Sequence, residues 1–387
     1  MYAALNTGKW SSEVSIVKVT ANSFATPKRA VPSAAQSPQL SRVARAVRRL
    51  KRTWQTLAGG SPETVFEIAP KSVGSIDVAQ ALQIDLLHVP YQTPPTHELS
   101  VPFIVTMHDV QELHFPEYFS AEERASRATG YLRAIRNASA VVVSFDHVRD
   151  DLIRYFDCPE DRIFTIPLPY ANCTLPSPDA NTTLRLEEYY TNAGPIILYP
   201  AQTWEHKNHL RLIDAFETVC RTTNSPAILV CTGKKNCFFY SHIEPRLKAS
   251  QFANRIYFPG IIDEAELRWL YENCVGVVIP TLYEAGSFPL IEAMSLGAPV
   301  VCASTTSLPE TIGNRKFIFD PRNVVQIRDQ ITELLLNNDF REESRRNGRS
   351  RISILQSADI CSHYERLWTV VLRRKEKGNC EGEFTSD

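Results

Sequence analysis

The sequence predicts an α/β protein of two Rossmann-like domains facing each other across a cleft. Three observations predict it. A length of 387 residues sets a prior of two domains, each large enough to bury its own core. The second half alternates short apolar, β-branched runs with stretches of helical period, the signature of a doubly wound sheet. The first half repeats that alternation more loosely, and a Pro-, Asn- and Thr-rich segment, "LPYANCTLPSPDANTTL" at 168–184, separates the halves as an interdomain connection.

In chain order, the first half offers strands in "DLLHVP" (85–90), "PFIVTMHD" (102–109), "AVVVSF" (140–145) and "RIFTIP" (162–167). The second half offers "PIILYPA" (195–201), "AILVCTG" (227–233), "RIYFPG" (255–260), "VGVVIP" (275–280), "PVVCA" (299–303) and "KFIFD" (316–320). Continuous apolar runs of this length suit parallel strands buried on both faces. Between them Leu210, Ile213, Phe216 and Val219 keep a helical period, and "ISILQSADICSHYERLWTVVL" (352–372) does so again near the end.

Composition and charge describe an ordinary globular chain, 43% apolar with a net charge of −1, and no nucleic-acid partner is expected. No apolar run approaches bilayer length, and the first twenty residues lack the pattern of a signal peptide, so a cytoplasmic protein is expected. The nine cysteines include no close CxxC pair and no histidine at zinc-ligand spacing; free thiols are expected and no metal site. Between Glu13 and Glu63 there is no acidic residue, and Leu40, Val43, Val47, Leu50, Trp54 and Leu57 recur at spacings of three and four. Residues 40–57 therefore read as a basic amphipathic helix, either packed on the core or in peripheral contact with an anionic membrane.

The stretch "TLYEAGSFPLIEAMSLGAPVV" (281–301) places Glu284 on the loop leaving one strand and Glu292 on the first turn of the next helix. Both can face the crevice beyond the carboxyl ends of the strands, with the backbone N–H groups of Gly286, Ser287 and Phe288 pointing into it. Such a corner attracts anions, phosphate above all. The plainer alternative is a helix-dipole carboxylate at Glu292 and a solvated one at Glu284. "YPAQTWEHKNHLRLIDAF" (199–216) likewise sets Lys207 at the end of a strand, where a cation beside free amides suits a diphosphate; alone it could be a solvated surface lysine. "VTMHD" (105–109) carries His108 and Asp109 off a strand of the first domain toward the cleft, with a structural histidine as the alternative.

These residues, with "LLHVPYQTPPTHELSVPFIVTMHDVQELHFPEYFS" and "FPGIIDEAELRWLYENCVGVVIPTLYEAGSFPLIEAMSLGAPVVCASTTSLPETIG", resemble the retaining glycosyltransferases of family four, which have the GT-B fold. The similarity runs from about residue 84 to about 340, is most specific at 258–311, and is greatest toward bacterial mannosyltransferase-like enzymes of surface-polysaccharide assembly. The resemblance implies a metal-independent transfer of a hexose, mannose favoured, from a nucleotide-diphosphate sugar to a glycan or lipid-linked acceptor, with no cofactor. It implies that Glu284 contacts hydroxyls of the donor sugar, that Glu292 holds the ribose, and that Gly286, Ser287 and Phe288 with Gln202 surround the diphosphate. Lys207 would neutralise the leaving group and His108 would touch the transferred sugar. No D-x-D motif is present to hold a divalent metal.

The implied organisation is an acceptor-side domain at 1–184, a nucleotide-sugar-binding domain at 185–350, and a helix at 351–387 that crosses back to the first domain before a polar tail. The sequence departs from the family pattern at Gln202, where an arginine is frequent, in lacking a "GG-x-G" loop near its start, and in lacking the aromatic "SW" near its end. The missing glycine loop favours a second reading, a non-catalytic nucleotide-sugar or glycan-binding partner in an assembly complex; a third is another GT-B chemistry such as sugar-nucleotide epimerisation.

Overall fold

The computed structural model describes residues 84–92, 101–168, 175–190, 193–357 and 359–382. The amphipathic helix expected over 40–57, its membrane contact and the region of the missing glycine loop lie outside the described residues. From His88 onward the described residues, Val101 apart, form one compact unit. Among them no helix is long and apolar enough to cross a membrane.

The first sheet contains β1 (Leu87–Val89), β2 (Phe103–Thr106), β3 (Ala140–Val143) and β4 (Ile163–Thr165) in that spatial order. β2, β3 and β4 are parallel. The intervening helices are α1 (Gln111–His114), α2 (Ala121–Asn137) and α3 (Asp146–Phe156). A capping box starts α2: the Ser120 hydroxyl accepts from Glu123 N, and the Glu123 carboxylate accepts from Ser120 N at 2.8 Å. All four residues of β3 are buried, and Val105, Met107, Ile135, Val141 and Leu152 pack together at the centre of this layer.

The second sheet contains β5 (Ile196–Pro200), β6 (Ile228–Thr232), β7 (Ile256–Gly260), β8 (Gly276–Ile279), β9 (Val300–Ala303) and β10 (Ile318–Phe319). Every pairing in it is parallel, and the order is β10-β9-β8-β5-β6-β7. Burial on both faces explains why these strands read as unbroken apolar runs: every residue of β5, β6, β8 and β9 is buried. The helices are α4 (Ala180–Tyr190), α5 (His209–Thr223), α6 (Glu244–Lys248), α7 (Glu264–Asn273), α8 (Phe288–Ser295), α9 (Leu308–Ile312), α10 (Val324–Leu336), α11 (Asn338–Ser357) and α12 (Ile360–Gly382). α4 runs through the expected boundary at 184/185; its Leu186 and Tyr190, with Leu175 before it, pack in the core of the second sheet. The helical stretch expected over 352–372 is divided between α11 and α12. From α12, Trp368 Nε1 donates to Nδ1 of His88 on β1 at 3.4 Å, and Arg374 pairs with Asp161 at 3.3 Å, so the chain's last described helix returns to the first sheet.

One side chain ties the connections of the second sheet together. Asn208 precedes α5 in the left-handed region, with φ 63°, a conformation asparagine tolerates better than other non-glycine residues. Its buried Nδ2 donates to the carbonyls of Pro280, after β8, and Pro321, after β10, both at 2.8 Å. Asn208→Ala should remove both bonds and force a Cβ-bearing residue without compensation into that backbone, a loss of about 2–4 kcal/mol. Asn208→Gly should lose less, by about 1 kcal/mol, because glycine adopts the conformation freely. Urea denaturation of the three proteins checks this; equal losses would remove the backbone contribution.

Candidate functional site

The strand order reverses direction at β5. From β5 the chain builds outward through β6 and β7, then crosses to β8 on the other side of β5 and continues to β9 and β10. Connections leaving the carboxyl ends of β5 and β8 therefore diverge and open a crevice between them, the place where ligands of doubly wound sheets bind. The segment after β5 carries Gln202, Trp204 and Lys207, and the segment after β8 carries Glu284.

Lys207 ends a 3₁₀ turn, Glu205–Lys207, just ahead of α5. The Tyr199 hydroxyl donates to its carbonyl at 2.9 Å, and Asn208 follows as the clamp already described. His206 and His209 on either side are pushed down to about 3, first by burial and then by the Lys207 charge, so both stay neutral and leave the positive charge of the turn to Lys207. Lys207 Nζ reaches Glu284 Oε2 at 2.7 Å with both side chains largely buried.

Glu284 is held through its backbone. Its N–H donates to the Thr306 hydroxyl at 3.0 Å, while its carbonyl accepts from that same hydroxyl at 2.7 Å and from Ser307 Oγ at 2.9 Å. Thr306 itself sits at φ 49°, an unfavourable conformation for a β-branched residue. Burial pushes the Glu284 carboxyl up from its ordinary range; Lys207 opposes that shift and the nearby charge of Asp109 adds to it. The carboxylate thus depends on Lys207 for its charge.

Gln202, Trp204, Lys207, Glu284, Gly286, Ser287 and Phe288 line one cavity of about 310 Å³ between these segments. At its wall α8 begins. The Ser287 hydroxyl caps it by accepting from Leu290 N at 3.4 Å, and Pro289 has no N–H to offer. Among the described residues the amides of Gly286, Ser287 and Phe288 make no hydrogen bond, which leaves three adjacent donors at a helix N-terminus.

Glu292 is placed differently from the expectation. α8 starts at Phe288, one residue before the proline, so Glu292 lies in the second turn, not the first, and does not complement the helix dipole from its end. Its Oε2 accepts from the Tyr271 hydroxyl at 2.8 Å, and burial pushes its carboxyl up. It is not among the residues lining the cavity. His108 is also outside the lining; its Nε2 is 2.9 Å from the Pro90 carbonyl, a geometry in which Nε2–H donates. The residues that sequence reasoning did not single out are Thr306 and Ser307, which fix Glu284, Tyr271, which holds Glu292, and Trp204 at the cavity rim. Only Trp204 carried a signal, as an aromatic in the segment after a strand.

Comparison with known proteins identifies the family. The family described as Glycosyltransferase Family 4 matches residues 30–170, and the one described as Glycosyl transferases group 1 matches residues 190–351. Among curated proteins, O-antigen chain mannosyltransferase B of Escherichia coli is 27% identical over 242 residues, 62% of this chain and 62% of that protein. The chain thus matches less than two thirds of that relative's length. Among solved structures, sucrose-phosphate synthase from Thermosynechococcus elongatus superimposes with a TM-score of 0.63 at 20% identity, over 77% of this chain and 76% of that one. Anabaena HepE in complex with UDP does so with a TM-score of 0.60 at 17% identity, over 76% and 80% of the two chains. Two adjoining family matches, two parallel α/β sheets and a shared architecture lead to one conclusion: the chain belongs to the group 1, family 4 glycosyltransferases of GT-B fold, with distant homology to bacterial O-antigen mannosyltransferases.

Proposed function

We propose that this protein is a metal-independent, retaining glycosyltransferase that moves a hexose, mannose favoured, from a nucleotide-diphosphate sugar to a glycan or lipid-linked acceptor. The observation that carries the reading is the Lys207–Glu284 pair, 2.7 Å apart, beside three unbonded amides at the topological switch point. The part of the chain that carries the first sheet would present the acceptor and His108, and the part that carries the second sheet would hold the donor. Mannose is favoured by the 27% identity to the Escherichia coli O-antigen mannosyltransferase, and a nucleoside diphosphate is favoured by the UDP bound in HepE, a protein of like fold.

In this reading the donor diphosphate accepts hydrogen bonds from the amides of Gly286, Ser287 and Phe288 and takes a share of Lys207. Glu284, released in part from the lysine, accepts from hydroxyls of the sugar, and Glu292 from those of the ribose. The bond between the anomeric carbon and the diphosphate oxygen breaks with its electron pair going to that oxygen. Negative charge grows there against donors fixed in advance, which is the chief lever available to the protein. The acceptor hydroxyl attacks from the same face, its proton passing to the departing phosphate oxygen, so the configuration is retained. His108 faces the sugar from the other domain.

Lys207→Ala removes the cation from the leaving group and strands the buried Glu284, so turnover should fall roughly a hundredfold or more; unchanged steady-state kinetics would refute its role. Glu292→Ala should weaken donor binding roughly tenfold to a hundredfold, as expected for losing a charged acceptor, with less effect on turnover at saturation. Calorimetric titration with the donor measures it. Because charge neutralisation is assigned to protein groups, product formation followed by mass should persist in excess EDTA; loss restored by manganese would contradict the metal-independent reading.

A further inference from the structure

Tyr283 lies one residue before Glu284, and its ring packs in a cluster with Leu282 and with Phe115 and Tyr118 of the first domain. It is 3% exposed, and its aromatic neighbours belong to the first domain: the rings of His114 at 5.5 Å and of Phe115 and His147 at 6.2 Å each. Its hydroxyl accepts from the backbone N–H of Val110 at 3.4 Å. The socket is itself braced. His114 Nε2 is held by Asp151 Oδ2 at 2.7 Å, and Phe115 stacks on Tyr118 at 5.3 Å. His147 contributes an uncharged wall: its ring nitrogens are buried without a hydrogen-bond partner among the described residues, and burial pushes it down to about 4.

The other contacts of the first domain with this edge fall on the same two segments. Tyr118 lies 6.1 Å from the ring of His206, whose carbonyl accepts from Leu282 N at 2.7 Å. A Cβ on Gly286 would stand 3.2 Å from Phe145 and 3.0 Å from Leu168, so both sides of Glu284 are pressed by the first domain and its connection. Neighbouring Cα atoms are about 3.8 Å apart, so Tyr283 and Glu284 share one short stretch of backbone between the socket and the Thr306 and Ser307 bonds.

We propose that Tyr283 is a positioning residue that ties the placement of Glu284 to the seating of the two domains, the ring filling its socket while the carboxylate faces Lys207. The inference rests on Glu284 acting at the donor sugar. Binding of a bare nucleoside diphosphate depends on Lys207, Glu292 and the α8 amides, and Tyr283 is not in the lining of the cavity beside them. Turnover depends on Glu284, next to Tyr283 in the chain.

The test uses the full chain, with Tyr283→Ala, Tyr283→Phe and, from the socket side, Phe115→Ala. Three quantities are measured: kcat for sugar transfer, the affinity for GDP and for UDP alone, and the radius of gyration by small-angle scattering. Tyr283→Ala should lower kcat roughly tenfold to a hundredfold, the scale of an ångström-sized misplacement, and raise the radius of gyration while leaving diphosphate affinity nearly unchanged. Tyr283→Phe keeps the ring and should retain most of kcat. Phe115→Ala should reproduce the defect of Tyr283→Ala and add little to it in the double variant. Wild-type kcat in Tyr283→Ala would overturn the inference, as would diphosphate affinity falling in parallel with kcat, the mark of a merely structural residue. If the wild-type chain transfers no sugar from any nucleotide donor, it is the transferase reading that fails. Scattering then still decides on the socket: an expanded Tyr283→Ala chain supports it and an unchanged one overturns it.

Discussion

The arrangement turns on one ion pair in a place that makes it expensive to leave half-made. Lys207 and Glu284 stand at the ends of β5 and β8, the two strands between which the sheet reverses direction, and both are largely out of water. A buried pair need not stabilise a fold, but removing one partner leaves an uncompensated charge and is strongly destabilising. The surrounding polar bonds answer that demand by fixing backbones. Tyr199 and Asn208 hold the Lys207 turn, and Thr306 and Ser307 hold Glu284, so neither side chain has to be positioned by the ion pair alone. An anionic ligand entering the cavity finds a lysine whose counterion can be exchanged.

Most of the fold was legible because the strands are parallel and buried, so each appears as a bounded apolar run, and the ten strands of the described residues fall inside the ten runs read from the sequence. Gln202, Lys207, Glu284, Gly286, Ser287 and Phe288 share a cavity for an equally local reason: each follows one of two strands that turn out to be neighbours. What could not be read depends on residues distant in sequence. The choice of a Thr306 hydroxyl to hold Glu284 is made across 22 positions and the meeting of Tyr283 with Val110 across 173, and neither leaves a periodic trace. The position of Glu292 was misjudged by a smaller effect. Phe288 adopts helical geometry ahead of the proline because Ser287 supplies the cap, and that single residue moves the carboxylate into the second turn.

The contact between the two sheets' domains is also chemically unlike the crevice beside it. The crevice is charged and hydrogen-bonded, whereas the side facing Tyr283 is a group of rings, Phe115, Tyr118, His114 and His147, with one ion pair beneath. Such ring pairs prefer tilted and edge-to-face arrangements, the geometries seen between Tyr283 and its neighbours.

Thr306 sets stability and site geometry in opposition. Its left-handed backbone costs a β-branched residue about 1–2 kcal/mol, and only the two bonds of its hydroxyl to Glu284, at 3.0 and 2.7 Å, give that strain a return. A glycine there would relax the backbone and let the loop that carries Glu284 drift. Strain and fastening therefore come and go together: a substitution that removes the hydroxyl loses both bonds to Glu284 along with the strain, and selection for heat tolerance has little to gain at this position.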